Sequence, residues 1–310
     1  MGQSKGSRTG MQNNGEQPLF LGIDGGGTKC KAIVMSTNNK ILGTGFSGPG
    51  NPVNGIEQAI NSITESATLA LKDAGLDNVK LGDLVAGAGL AGVNLPSLFK
   101  QMSDWHNPFK RMYLTTDLLI ACLGAHQGKD GAVIITGTGS CGFSHVQKQQ
   151  FIVGAHGFPQ GDKGSGAWFG LQTVKQVLLS LDGIIASSSM NDEVLKWLNV
   201  SGAVELVEVT ASKTAAFYAQ LASIVFTSAE SGDEIAMKLV KEGAKYISDV
   251  ARLLGQKNPP RISIIGGLTP LLLPWLDQDI QERLSKPLAP PEVGAVYFAK
   301  QQSALLSQIG

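Results

Sequence analysis

The sequence predicts an α/β protein of two duplicated units, and three observations carry that prediction. From Leu19 to about Phe46 the pattern reads strand, turn, strand, turn, strand, through "FLGID", "CKAIVMS" and "KILGTGF". The opening of that pattern recurs at Gly131 to Gln147, "GAVIITGTGSCGFSHVQ": an apolar strand, a Gly/Thr turn and another strand. Strands alternate elsewhere with helical periodicity, and no repeat of roughly 20 to 50 residues is visible, so one large unit is doubled and the chain is no solenoid.

The elements follow in order. "TNNK" closes the second hairpin of the opening meander. In "GIEQAINSITESATLALKDAG", Ile56, Ile60, Ile63, Ala67 and Ala70 recur at helical spacing, and Gly75 supplies a stop. Two apolar strands come next, "DLVAGAGLAGV" and "MYLTTD". The second ends on Asp117 just ahead of the helical pattern "LLIACLGAHQG", which sets this acid at a strand's C-terminal end, where open α/β sheets keep their ligands. After the repeated hairpin, helical stretches run over Gly166 to Leu181, Lys213 to Ser228 and Glu234 to Leu254. The strand "RISIIGG" and a helix from Val293 to Ser307 close the chain.

A chain of 310 residues, 43% hydrophobic, suits about two domains with a core in each. Its 25 basic and 25 acidic residues cancel, so no overall field draws it to nucleic acid or to an anionic membrane, and neither is expected as a partner. Cys30, Cys122 and Cys141 are widely spaced and fit no disulfide framework or zinc site; a reducing cytoplasm is the expected location. Residues 1–17 lack the apolar centre of a signal peptide and read as a disordered leader. No run of about 18 apolar residues exists to span a membrane.

Two glycine-rich turns hold the chemistry. In "DGGGT" (Asp24, Gly25, Gly26, Gly27, Thr28) and "GTGS" (Gly137, Thr138, Gly139, Ser140), successive glycines let backbone N–H groups converge on an anion, and each turn adds a threonine hydroxyl for a phosphate oxygen. Tight hairpins use the same residues for purely structural ends. Two such loops in duplicated halves favour phosphate binding. Asp24 suits Mg²⁺ held through water, against the plainer role of a turn cap. "GAGLAG" (Gly87 to Gly92) and "GTGSCG" (Gly137 to Gly142) both match the dinucleotide fingerprint, and Asp117 lies near the position of its ribose acid. Against that reading, Pro96 is expected to interrupt the helix after the first match, and the second runs into a strand. "GAHGFPQGDKGSGAWFG" (Gly154 to Gly170) offers a polar, glycine-rich loop containing Asp162 to a small ligand, or a capped helix start. "IIGGLTP" (Ile264 to Pro270) is a strand running into paired glycines that admit a flat ring, or a tight connection.

As an ordered set, "IDGGGTK", "TTD", "GTGSCG", "GDKGSGAWFG" and "IIGG" resemble the actin-like ATPase and sugar kinase superfamily, in its BadF/BcrA-type branch, beside the glucosamine and N-acetylglucosamine kinases. The resemblance implies duplicated ribonuclease H-like domains, with mixed sheets flanked by helices and the active site in the cleft between them. Residues 18–116 would form the first domain and 117–292 the second, with a helix at about 293–308 crossing back onto the first. It implies ATP and Mg²⁺ held by Asp24, Gly25, Gly26, Gly27 and Thr28 on one hairpin and by Gly137, Thr138 and Gly139 on the other. Gly266 and Gly267 would flank the adenosine. An amino sugar would meet Asn51, Ala155, His156, Gly157 and Asp162, with Asp117 as the base that accepts the proton of its 6-hydroxyl. Where N-acetylglucosamine kinases tend to show Gly-Trp-Gly, this chain has "AHGF", which leaves the group at C2 open between an N-acetyl and an ammonium. A homodimer is the expected assembly. The alternatives are an activator or sensor ATPase of the same fold, and a dinucleotide-binding oxidoreductase.

Overall fold

A computed structural model describes residues 18–308; the expected leader at 1–17 lies outside them. The chain opens with the antiparallel meander β1 (Phe20–Gly25), β2 (Cys30–Met35) and β3 (Ile41–Ser47). Helix α1 (Ile56–Asp73) buries Ile63, Ala67 and Ala70 against it. Gly75 follows in the left-handed region at φ 66°, its N–H donating to Lys72 O and that of Leu76 to Leu71 O, so the helix stops where its sequence places the glycine. β4 (Val85–Leu90) adds parallel to β1. Next come α2 (Pro96–Asp104) and β5 (Arg111–Thr116), which lies parallel to β4. Pro96 occupies the first turn of α2, where its missing N–H costs nothing, so the proline opens a helix in place of interrupting one.

α3 (Asp117–Ala125) leads to the second meander, β6 (Gly131–Thr136), β7 (Ser140–Val146) and β8 (Gln149–Gly154). Six helices follow: α4 (Gly166–Leu181), α5 (Ser189–Leu198), α6 (Ala203–Thr210), α7 (Ala215–Ala219), α8 (Ala222–Glu230) and α9 (Glu234–Gly255). Then β9 (Ile262–Ile265) pairs parallel with β6. The chain closes through α10 (Thr269–Leu272), α11 (Gln278–Arg283) and α12 (Pro291–Ser307).

The strand orders, β3-β2-β1-β4-β5 and β8-β7-β6-β9, show the duplication directly. In each sheet an antiparallel trio is extended by a parallel strand beside its first member. Separate apolar clusters form two cores. One gathers Leu21, Ile23, Ala86 and Ala88 with α1; the other gathers Ala132, Ile134, Phe169, Val240 and Ile247. Burying each large side chain contributes about 1.5–3 kcal/mol. The stretch predicted as one helix over 213–228 is broken at Gln220 and Leu221. The break lets α7 press against α4 while α8 packs on α9, and Tyr218 in α7 donates its hydroxyl to Thr210 O at 2.9 Å.

Two helices join the halves. α3 touches strands of both sheets, and α12 packs on α3 and across β1 and β4. Their backbones approach so closely that a Cβ on Gly294 would stand 1.9 Å from Ile120 O. Gly294→Ala is therefore expected to destabilise the chain by about 3 kcal/mol, through a backbone clash that no rotamer relieves. Urea unfolding checks this, and an unchanged midpoint would show that the helices can part.

Candidate active site

The first glycine turn sits at the end of β1. Gly26 N donates to Lys29 O at 2.9 Å and closes the turn; Gly50 N donates to Gly26 O at 2.9 Å, and Asn54 Nδ2 to Gly27 O at 3.2 Å. The turn is thus braced from behind. Gly27 and Thr28 remain exposed on its outer side. Asn51 starts the next short helical turn by accepting from Val53 N at 2.9 Å, and its side-chain oxygen lies against Gly92.

Asp24, in register with Lys31 across the hairpin, faces a cavity of about 640 Å³ that it shares with Asp117, Ile135, Ile265, Gly266 and the 287–291 segment. Burial pushes its carboxyl up to about 7, the charges of Glu292 and Asp117 add to the rise, and Lys29 and Lys31 oppose it. Glu292 is buried near the start of α12 and pairs with Lys31 Nζ at 2.5 Å. Asp117 begins α3, whose N-terminus Thr116 caps by accepting from Leu119 N at 3.3 Å. Its own Oδ1 accepts from Leu118 N at 2.9 Å. Burial raises the Asp117 carboxyl too, and the adjacent N–H groups limit the rise. Two carboxyls that burial raises thus share one cleft.

The second turn is arranged differently. Gly137 N donates to Gly139 O at 2.9 Å, while Gly166 N and Ala167 N, the first amides of α4, donate to Gly137 O at 2.8 Å and Thr138 O at 3.2 Å. The hairpin is thereby fixed on the helix. Gly266, at φ 116°, lies against Thr136 so closely that a Cβ would meet Thr136 O at 2.1 Å. Leu268 N donates to the same carbonyl at 3.1 Å, and the hydroxyls of Thr136 and Thr269 are 3.0 Å apart. The "IIGG" turn and the "GTGS" hairpin are therefore stitched together through one residue.

Thr138, Gly139 and Asp162 line a second cavity of about 660 Å³, with Phe158, Lys175, Lys213 and Tyr218. Asp162 sits in the left-handed region at φ 59°, and burial raises its carboxyl. Ala155, His156 and Gly157, in the loop after β8, are exposed, with Ala155 at φ 60° and Gly157 at φ 79°. Cys141, in β7, is buried, and burial pushes its thiol up to about 12, with Asp117 and Asp162 both adding to the rise. The structure thus places Asp24, Asp117 and Gly266 on one cavity and Thr138, Gly139 and Asp162 on the other. Gly25, Gly26, Gly27, Thr28, Asn51, Gly137, Ala155, His156, Gly157 and Gly267 line neither.

The dinucleotide motif does not survive this geometry. Gly87 and Gly89 lie inside β4, and the Gly137 to Gly142 match turns into β7, so neither opens a helix toward a pyrophosphate.

The family model for BadF/BadG/BcrA/BcrD ATPases matches residues 21–299. The chain belongs to that family. It is similar to glucosamine kinase GspK of Vibrio cholerae, 35% identical over 90% of this chain and 95% of that one. It is also similar to an N-acetyl-D-glucosamine kinase of Dictyostelium discoideum, 27% identical over 75% of this chain and 77% of that one. Among solved structures it superposes on a candidate N-acetylglucosamine kinase from Chromobacterium violaceum with a TM-score of 0.85, at 26% identity, covering 91% of this chain and 99% of the other. The fold is accordingly that of the actin-like ATPase and sugar kinase superfamily, and use of ATP goes with the family.

In this BadF/BcrA-type chain four further residues lie beside these groups without any local sequence pattern to mark them. Lys31 and Glu292 form the ion pair behind Asp24, and Lys175 and Lys213 line the second cavity. Lys175 and Lys213 make no ion pair among the described residues. The Lys31–Glu292 pair leaves a test. Lys31→Met would strand Glu292 buried beside Asp24, and after discounting for the partial exposure of the lysine a loss of about 2 kcal/mol is expected by urea unfolding at pH 8. No loss there would mean that Glu292 reaches water.

Proposed function

We propose that this chain is an ATP-dependent amino-sugar kinase that transfers the γ-phosphoryl group to the 6-hydroxyl of glucosamine or N-acetylglucosamine. The observation that carries the reading is the pair Asp24 and Asp117, half-buried on one cavity and each at the end of a strand of the first sheet, with Gly266, which presses on Thr136 at the foot of the phosphate-type hairpin, on the same cavity. Asp117 is the proposed base, since a carboxyl raised by burial takes a hydroxyl proton more readily than an ordinary one. The turn of Gly25 to Thr28 and the hairpin of Gly137 to Gly139 are the proposed phosphate grips, with Gly266 and Gly267 on the adenosine. Asn51, Ala155, His156, Gly157 and Asp162 are the proposed sugar contacts. The domain limits we propose are 18–116 and 117–292, and the packing of α12 on β1 and β4 supports its return to the first domain.

The donors present fit Mg²⁺. Asp24 offers a carboxylate to the cleft, and no group of three or more His, Cys, Asp or Glu gathers among the described residues, so the other ligands would be water and phosphate oxygens, as Mg²⁺ prefers. Bound there, the cation would neutralise charge on the phosphates. Asp24 would hold it, Asp117 would accept the 6-hydroxyl proton, and closure of the two halves would exclude the water that otherwise wastes ATP.

Glucosamine is the favoured acceptor: the 35%-identical relative is a glucosamine kinase, and "AHGF" offers no flat indole for an N-acetyl methyl. Release of ADP from Mg-ATP decides the matter, measured with glucosamine, N-acetylglucosamine, N-acetylmannosamine, glucose and no sugar. Turnover that requires an amino sugar supports the reading. Hydrolysis indifferent to sugar would replace it with the activator or sensor ATPase.

A further inference from the structure

Asp162 is built into the site in a way that a sugar contact alone does not require. Asp162 stands where two loops meet: Gly161 N, one residue before it, donates to Gly157 O at 2.6 Å in the turn after β8, and its own carboxylate lies against Gly139 of the "GTGS" hairpin. Gly139 leaves the space this needs, since a Cβ there would lie 2.7 Å from Asp162 Oδ2. The surroundings hold Asp162 in a left-handed backbone that a non-glycine residue adopts at a cost. Ser165 N donates to its carbonyl at 3.0 Å, and Ser140 Oγ donates to Lys163 O at 2.8 Å. Lys163 in turn pairs with Glu242 of α9 at 2.7 Å.

Building on the kinase reading above, we infer that Asp162 is a positioning residue that bolts the 155–157 loop to the Gly137–Gly139 hairpin, so that occupation of either by its ligand tightens the other. The physical content is reciprocal coupling: a ligand that orders one loop pays part of the ordering that the second ligand needs.

The test is calorimetric titration of glucosamine and of N-acetylglucosamine into the full chain, with and without a saturating non-hydrolysable ATP analogue and Mg²⁺. The unmodified chain should bind its sugar about fivefold or more tightly with the nucleotide present, the lower end of ordinary coupling. In Asp162→Asn that ratio should fall toward one, whatever affinity for sugar alone is lost with the contact. Gly139→Ala approaches from the other side: its backbone is outside the left-handed region, so the added methyl acts by pushing the carboxylate away, and the ratio should fall there too. A ratio near one in the unmodified chain overturns the inference. So does an unchanged ratio in both variants, even if Asp162→Asn weakens sugar equally with and without nucleotide, which is the mark of a direct contact. Binding of nucleotide but no amino sugar by the unmodified chain would instead remove the kinase reading on which the inference rests.

Discussion

Asp117→Asn is expected to lower kcat about a thousandfold while leaving the affinities for sugar and nucleotide within about threefold. Asparagine keeps the oxygen that accepts from Leu118 N, so the start of α3 and the wall of the cleft survive the exchange. What it loses is the capacity to hold a proton, and removal of a positioned base costs about 10²–10⁴ in rate. Single-turnover transfer and calorimetry on the same preparation separate the two effects. Transfer at the unmodified rate would remove Asp117 from the chemistry; a matching loss of sugar affinity would make it a binding group.

Asp24→Asn should produce the opposite pairing, a more stable protein with no useful activity. An aspartate ordinarily near 3.8 that stands at about 7 when folded binds its proton more readily in the folded chain than in the unfolded one. Its contribution to stability is therefore full below about pH 4 and is lost as pH rises through about 7. At about 1.4 kcal/mol per pH unit the full penalty at alkaline pH is at most roughly 4 kcal/mol. Urea unfolding without ligand should show Asp24→Asn exceeding the unmodified chain by a few kcal/mol at pH 8 and matching it at pH 4. Equal stability at both would mean that Asp24 is charged and well solvated in the apoprotein. Added Mg²⁺ should narrow the gap at pH 8, because a cation beside the carboxylate offsets the same penalty.

The sequence made the hairpins and Asp117 legible because both depend on short-range signals: alternating apolar residues, glycine turns, and a strand that ends where a helix begins. The closing helix could be read from its own period. Other elements carried weaker signals. β8, "QQFIVG", is an edge strand whose exposed face blurs alternation; α5 is a short helix announced only by Ser188 at one cap and the left-handed Asn199 at the other, and α6 starts at Gly202 with no side-chain cap at all. Within the site, the glycine loops could be named, but the ion pair behind Asp24 could not. Lys31 and Glu292 stand far apart along the chain and meet only because α12 returns across the first sheet. Lys175 and Lys213 were hidden likewise, since two exposed lysines on separate elements share a cavity only after α4 and α7 have packed.

The stitch through Thr136 has a metrical consequence. With Gly266 pressed on its carbonyl and Thr269 on its hydroxyl, the turn proposed to flank the base and the hairpin proposed to grip the phosphates cannot slide past one another. With those proposed roles, the second half would hold its donor at two points whose spacing does not change. A donor that is too short, such as pyrophosphate, would then reach one of those points but not both. Donor choice would thus be a matter of span, decided by the spacing of two strands before any base-specific contact is made.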